Sequence, residues 1–307
     1  MNTTNFQAKF ATDARLFPHL LDVHRDRVLI SELSESDFEK ASFLDQRIFA
    51  QQQKRWFVEW EELAEIELAE RQPPNYIFHI GHVGSTLISR LLGQADGVFA
   101  LREPLLLRSL AENSLLLGQP HCPWQVEEFA KRRRSVVQWL SRSFRQSDRA
   151  MIKASSFVSE ISRSLLEEKT RALFMFVPLQ SYMTTILAGE ASMDETLAMA
   201  GTRLQRLNNR LNTPLANLSA LNLVQRIAMS WLCETACLLE AQEDVSNVQI
   251  QWMNFDTFLD SPHDHWQRLS QHFAFEMPKE ETHSLLSGPI MTSYSKAPEH
   301  GYSSNLR

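Results

Sequence analysis

Six consecutive residues, Gly81-His82-Val83-Gly84-Ser85-Thr86, have the composition of an anion cradle. Two glycines allow a tight turn and a close approach of backbone to ligand. A helix beginning at the end of the turn directs its unpaired N–H groups, and the positive end of its dipole, into that turn. Ser85 and Thr86 add hydroxyls suited to capping the helix, to contacting a phosphate oxygen, or to both. The pattern is not the phosphate loop of ATP and GTP enzymes, where Gly-Lys precedes Ser or Thr; here Gly84 meets Ser85 directly and the loop holds no lysine. A plain strand-to-helix turn with Gly and a hydroxyl cap has a similar composition, so the loop by itself leaves both uses open.

The elements that must position this loop are legible around it. Tyr76 to Ile80 is a short β-branched and aromatic run, and Thr86 to Leu92 resumes helical spacing through Leu87, Leu91 and Leu92. Further apolar strands are expected at Gly97 to Leu101, Arg149 to Lys153, Arg171 to Val177 and Asn247 to Trp252. Helices are expected between them at Val126 to Arg145, Met193 to Leu211 and Leu221 to Ala241. Strands alternating with helices imply an α/β fold with a parallel sheet covered on both faces. Upstream, Glu35 to Glu70 spaces its apolar residues more like a helix than a strand and reads as one long helix or two joined ones, stopped at Pro73 and Pro74. The expected organisation is a helical N-terminal extension over residues 1–75, packed on an α/β domain over 76–307.

Composition narrows the function classes. The formal charge is −6, from 31 basic and 37 acidic residues, so the molecule offers nucleic acid no general attraction and an anionic ligand needs a local site. The longest apolar run, Ala172 to Leu179, is far short of the roughly 20 residues of a membrane span. Residues 1–15 lack the apolar core of a secretory signal, and a cytoplasmic protein is expected. The three cysteines, Cys122, Cys233 and Cys237, read as free thiols, the last two as core. Lys131-Arg132-Arg133-Arg134 reads as a solvated helix face, and Asp256 as a cap for the helix that follows it. His263-Asp264-His265 follows Ser261-Pro262, the signature of a helix start rather than of a metal site, and no metal is expected.

The stretch from His79 to Leu92 resembles the loop of sulfotransferases, commonly Lys/Arg-Ser-Gly-Ser/Thr-Thr before an apolar helix. Gly97-Val98-Phe99-Ala100-Leu101-Arg102-Glu103-Pro104 resembles the second strand and acidic-Pro turn of bacterial and carbohydrate-type members. Met151 to Ser156 is similar to the family's strand ending in Lys, and Tyr294 to Pro298 to its basic cofactor-covering segment. The resemblance implies a three-layer P-loop-type fold with a central parallel sheet. It also implies transfer of a sulfuryl group from 3′-phosphoadenosine 5′-phosphosulfate to a hydroxyl or amine of a small-molecule or carbohydrate acceptor, without metal. The donor would be held by Gly81, His82, Val83, Gly84, Ser85, Thr86 and Leu87, with Thr184, Thr185 and Lys296 at its far end. Glu103 would accept the acceptor's proton, and Lys153 and His82 would stabilise charge. Without the resemblance, Arg102-Glu103-Pro104 reads equally as a surface turn in which Glu103 pairs with an Arg.

Two departures from the family pattern stand in the sequence. The loop cation falls at His82, which is only partly protonated near neutral pH. The Arg expected after the strand at Ala172 to Val177, which would grip the 3′-phosphate, is Pro178. Arg203, Arg206 or Lys296 are the candidates to supply that charge from elsewhere. The alternatives are a non-catalytic nucleotide sensor or scaffold on the same fold and, less favoured, a phosphotransferase, for which neither a loop Lys nor a Mg²⁺ carboxylate is evident. The acceptor and the oligomeric state are not legible.

Overall fold

The runs Tyr76–Phe78, Ala150–Ile152 and Ala172–Met175 are buried at every position, as strands covered on both faces must be. In the computed structural model, which describes residues 3–50, 53–215, 217–243 and 248–293, they form the middle of a parallel sheet. Eight strands are present among these residues: β1 (Leu16–Asp22), β2 (Arg27–Glu32), β3 (Arg55–Glu59), β4 (Asn75–His79), β5 (Val98–Arg102), β6 (Arg149–Lys153), β7 (Arg171–Phe176) and β8 (Gln249–Asn254). The last five form one sheet in the order β5-β6-β4-β7-β8, with every pairing parallel. Helices flank it, among them Ser85–Leu92, Val126–Leu140, Leu179–Ala188, Glu190–Asn208 and Leu223–Glu243. The α/β class and the parallel sheet are those expected from the sequence, and the five strand positions agree to within two residues.

This strand order creates a topological switch point. From β4 the chain moves to β5 on one side, whereas from β7 it moves to β8 on the other, and β4 and β7 are neighbours. Connections diverging from adjacent parallel strands leave a cleft at their carboxyl ends, where open α/β sheets bind ligands. Because all five strands run the same way, the residues after β4, β5, β6, β7 and β8 gather along that one edge.

The N-terminal region carries helices, as expected, but it also holds a sheet that the apolar spacing concealed. Strands β1, β2 and β3 pair antiparallel in that order. The expected helix over Glu35 to Glu70 is instead a helix at Glu35–Lys40, a 3₁₀ turn at Gln46–Ala50, strand β3 and a helix at Trp60–Ala64. Short elements in succession each bury one or two apolar residues, and together these imitate a helical stripe. Ser34 opens the first of them with a reciprocal cap to Asp37.

Arginines fasten this region to the parallel sheet. The fully buried Arg142 donates to the carbonyls of Phe10 (2.7 Å), Asp13 (2.9 Å) and Leu16 (2.9 Å), and lies over the Phe10 ring. Arg102, at the end of β5, donates to the carbonyls of Phe38, Glu39 and Ala41. Arg132 was expected on a solvated face; it is buried, pairs with Asp26 and Glu128, and stacks between Trp60 and Trp124. Such guanidinium groups satisfy carbonyls that no helix or sheet partner reaches.

On β1, the buried His19 donates through Nε2 to the Asp45 carbonyl (3.2 Å) and pairs through Nδ1 with the Ser31 hydroxyl (3.0 Å). Burial pushes its pKa down to about 4, the Asp45 contacts opposing only in part. Between pH 6.5 and 4 the unfolded chain therefore binds this proton and the folded chain does not, so acidification costs stability, on the order of 3 kcal/mol for this group. Urea denaturation across that interval should show a steeper loss for the wild type than for His19→Gln, which cannot titrate; equal slopes would exclude His19 as the source.

Candidate functional site

Strand β4 ends at His79, and the chain then turns through a left-handed stretch: φ is +88° at Gly81, +53° at His82 and +67° at Gly84. Gly84 is the N-cap of the helix Ser85–Leu92, with no side chain capping its first turn. Buried His79 accepts at Nδ1 from the Gly81 N–H (3.0 Å) and so fixes the start of the turn. Val83, Ser85, Thr86 and Leu87 are buried at the helix start. Three residues with positive φ lead into a helix whose first turn has no side-chain cap, so its N–H groups are left for a ligand, and such a helix start favours an anion. His82 pays for the shape with strain, although histidine tolerates the left-handed region better than branched residues.

The loop glycines differ in what they exclude. A side chain at Gly81 would meet only ordinary contacts with Ser156, at 3.6 Å, so its requirement is conformational. At Gly84 a Cβ would run into the ring of Phe255, which follows β8. That ring is half-buried and stacks on Phe258 at 5.9 Å, giving the loop an aromatic wall. Sequence reading missed Phe255, because an aromatic residue after a strand looks like core.

Lys153 is the last residue of β6, opposite Arg102 of β5, and its side chain is 1% exposed. Its ammonium contacts the carboxylate of Glu103 and lies 3.4 Å from Thr86 Oγ1. The Glu103 N–H donates to the Lys153 carbonyl, and Glu103 itself has φ +53°. Arg47 stands 4.0 Å from the second Glu103 oxygen, and the Phe43 ring is 5.4 Å from the ammonium. Glu103, Lys153 and Thr86, far apart in sequence, are thus one cluster beside the loop, and residues 43–47 wall it from the N-terminal side.

His82 contacts the helix Glu190–Asn208. Its Nδ1 is 3.4 Å from Ser192 Oγ, its Nε2 is 3.8 Å from Glu195, and the Tyr182 ring lies edge-on at 6.4 Å. Glu195 in turn is 3.8 Å from Arg203, which pairs with Glu234 (3.3 Å). Glu234 is completely buried and pairs with Arg206 at 2.9 Å; burial raises its pKa, but Arg206 and Arg203 outweigh this and hold it low. Arg206 also binds Glu160 (2.7 Å). Neither arginine is a spare cation for the missing charge at Pro178, since removing either from a buried carboxylate would be costly.

Pro178 itself caps the helix Leu179–Ala188. In its first turn Ser181 donates to Asp256 (2.7 Å), so Asp256 does not cap its own helix; Asn254 does, accepting from the Asp256 N–H at 3.0 Å. Thr184 and Thr185 are exposed and donate back to Gln180 (3.0 Å) and Ser181 (2.9 Å). Lys296 lies outside the described residues. Among the described residues no group of three or more potential metal ligands gathers. Cys233 and Cys237 are buried, and Ser261-Pro262 opens the helix Pro262–Phe273.

No protein-family model matches the chain, and no curated protein does. Two solved structures similar to it are a domain from the curacin biosynthetic pathway, at 14% identity and TM-score 0.42, and one from the Synechococcus PCC 7002 olefin synthase, at 12% and 0.42. Both are sulfotransferase domains. The first alignment covers 76% of this chain and 85% of that domain, the second 77% and 83%. Identities this low leave the chemistry to be argued from the chain's own side chains.

The geometry at Gly84 has a direct test. Gly84→Ala should cost at least about 1 kcal/mol from its positive φ alone, and more from displacing the Phe255 ring. In a Phe255→Ala background the same substitution should cost less, the two changes being coupled through contact. Additive losses in chemical denaturation would show that the ring does not restrict this position.

Proposed function

We propose that the chain is a sulfotransferase-like enzyme, moving a sulfuryl group from 3′-phosphoadenosine 5′-phosphosulfate to a hydroxyl or amine. The observation that carries this reading is the cluster of Lys153, Glu103 and Thr86 at the start of the helix that follows the loop. It sets a cation and a carboxylate beside a row of backbone donors, which is what transfer from a phosphosulfate anhydride requires. The 5′-phosphosulfate lies on the backbone of Gly81 to Thr86, continuing to Leu87, and Phe255 offers a flat face beside it for the base. The acceptor oxygen or nitrogen attacks sulfur while the bond from sulfur to the bridging phosphate oxygen breaks. Glu103 takes the acceptor's proton, and Lys153 and Thr86 stabilise the charge on the departing nucleoside bisphosphate. His82, anchored through Ser192 and Glu195, shapes the loop and contributes charge when protonated. Residues 76–307 hold this chemistry and 1–75 form its N-terminal wall.

A specific observation also favours the non-catalytic nucleotide sensor: at the end of β7, where the family has its 3′-phosphate arginine, stand Pro178 and a Ser181–Asp256 hydrogen bond. A carboxylate there does not attract a phosphate.

Glu103→Gln separates the two readings. The enzyme reading expects adenosine 3′,5′-bisphosphate to stabilise the variant in a thermal-shift assay as it does the wild type, while turnover with a sulfuryl acceptor falls by about 10²- to 10⁴-fold. Undiminished turnover would remove Glu103 as the base. Failure of the wild type to be stabilised by the bisphosphate at any concentration would sink the reading altogether.

A further inference from the structure

The ion pairs around the helices Glu190–Asn208 and Leu223–Glu243 form one connected series. Glu195 meets Arg203 at 3.8 Å, Arg203 meets Glu234 at 3.3 Å, and Glu234 meets Arg206 at 2.9 Å. Arg206 meets Glu160 at 2.7 Å, Glu160 meets Arg210 at 3.1 Å, and Arg210 meets Glu240 at 2.7 Å. Among the described residues, then, four carboxylates face three guanidiniums, and the series is one positive charge short. Its Glu195 end touches the loop. One Glu195 oxygen is turned to Arg203, and the other lies 3.8 Å from His82 Nε2.

We propose that Glu195 is a positioning residue that keeps His82 protonated at neutral pH, so that the loop carries a cation when its anion arrives. The inference rests on the reading of the loop as an anion seat. The loop contains no lysine or arginine, and His82 is the one side chain in it able to hold a positive charge. Its surroundings suit the imidazolium. Nε2 faces a carboxylate, which only an N–H answers, and Nδ1 lies 3.4 Å from the Ser192 hydroxyl, which accepts as well as donates. A donor at each nitrogen satisfies both, and an opposite charge this close favours the charged ring. Arg203 shares Glu195, but through the other oxygen and while also paired with Glu234. The second ionisable group that meets His82 from the flanking helices is Tyr182, whose hydroxyl is pushed up by burial and stays neutral. The positive end of the helix Glu190–Asn208 opposes a cation beside Ser192, but it acts through partial charges, and Glu190 in its first turn offsets it. An unprotonated His82 would leave the series net negative beside the bound anion. The proton removes that repulsion.

The ring resonances of His82, assigned with His82→Gln, should titrate in the free protein with a midpoint at or above about pH 7, against roughly 6.5 for an unperturbed histidine, and Glu195→Gln should lower that midpoint. Calorimetric titration with adenosine 3′,5′-bisphosphate from about pH 5.5 to 8.5 should show wild-type affinity falling about 3- to 10-fold as the pH rises through the same midpoint, the scale of one charge acting across several ångströms near a protein surface. In Glu195→Gln the fall should come at lower pH. His82→Lys keeps its charge throughout, so its profile records only the ligand's own phosphates, and adding Glu195→Gln should leave the shape of that profile unchanged. A His82 midpoint at or below that of an unperturbed histidine, a midpoint indifferent to Glu195→Gln, or bisphosphate binding whose pH profile ignores the His82 midpoint would each overturn the proposal and leave the reading of the loop standing. No binding at any pH would overturn both.

Discussion

A buried ammonium sets the terms for the rest of this structure. Lys153 ends a central strand with its side chain 1% exposed, and an isolated cation in such a place would cost several kcal/mol. Glu103 neutralises it, and to do so the chain after β5 adopts a left-handed conformation that proline at 104 then leaves behind. The backbone between Glu103 and Lys153 is pinned as well. Arg102, next in line, reaches back to the carbonyls of Phe38, Glu39 and Ala41, and Leu44 donates to the Arg102 carbonyl. The N-terminal region is therefore bound to the carboxyl edge of the sheet by the same residues that make the charge cluster, and Phe43 and Arg47 become part of its wall.

Charge elsewhere is committed. From Glu195, beside His82, the ion network through Arg203, Glu234 and Arg206 to Glu160 alternates in sign, the buried Glu234 and Arg206 answering each other's desolvation. Under the proposed function, attraction for an anion at the loop comes, among the described residues, from backbone N–H groups, from Lys153 and, when it is protonated, from His82. On that reading the three positive-φ residues of the turn aim those N–H groups. Backbone donors cannot be moved by a side-chain rotation, so their arrangement must be built into the fold.

Much of the α/β core could be read in advance because its signals are local. Buried parallel strands are short apolar runs, and the glycines and hydroxyls of the loop name their own conformation. Once the strands are parallel, their carboxyl ends must share an edge, which is how Glu103 and Lys153 come together. What escaped the sequence is what depends on distant partners. Strand β1 lay within the stretch read as a helical extension, and the sheet it forms needs β2 and β3 to complete it. Arg132 looked like a solvent-facing charge and Arg142 drew no notice, since nothing nearby in sequence reveals the aromatic rings and carbonyls that receive them. Phe255 acquires meaning only where β8 delivers it to Gly84. The two threonines after Pro178 were expected to face a ligand, and their own helix takes up their hydroxyls.

The central claim is that an anion sits on the backbone between β4 and the helix that follows. Amide resonances report this without reliance on turnover. In a ¹⁵N-edited titration with adenosine 3′,5′-bisphosphate, the amides of Gly84, Ser85 and Thr86 should show the largest perturbations of the whole chain, moving downfield as they donate to the 5′-phosphate. Saturable binding that leaves those three amides unmoved would place the ligand elsewhere and contradict the account.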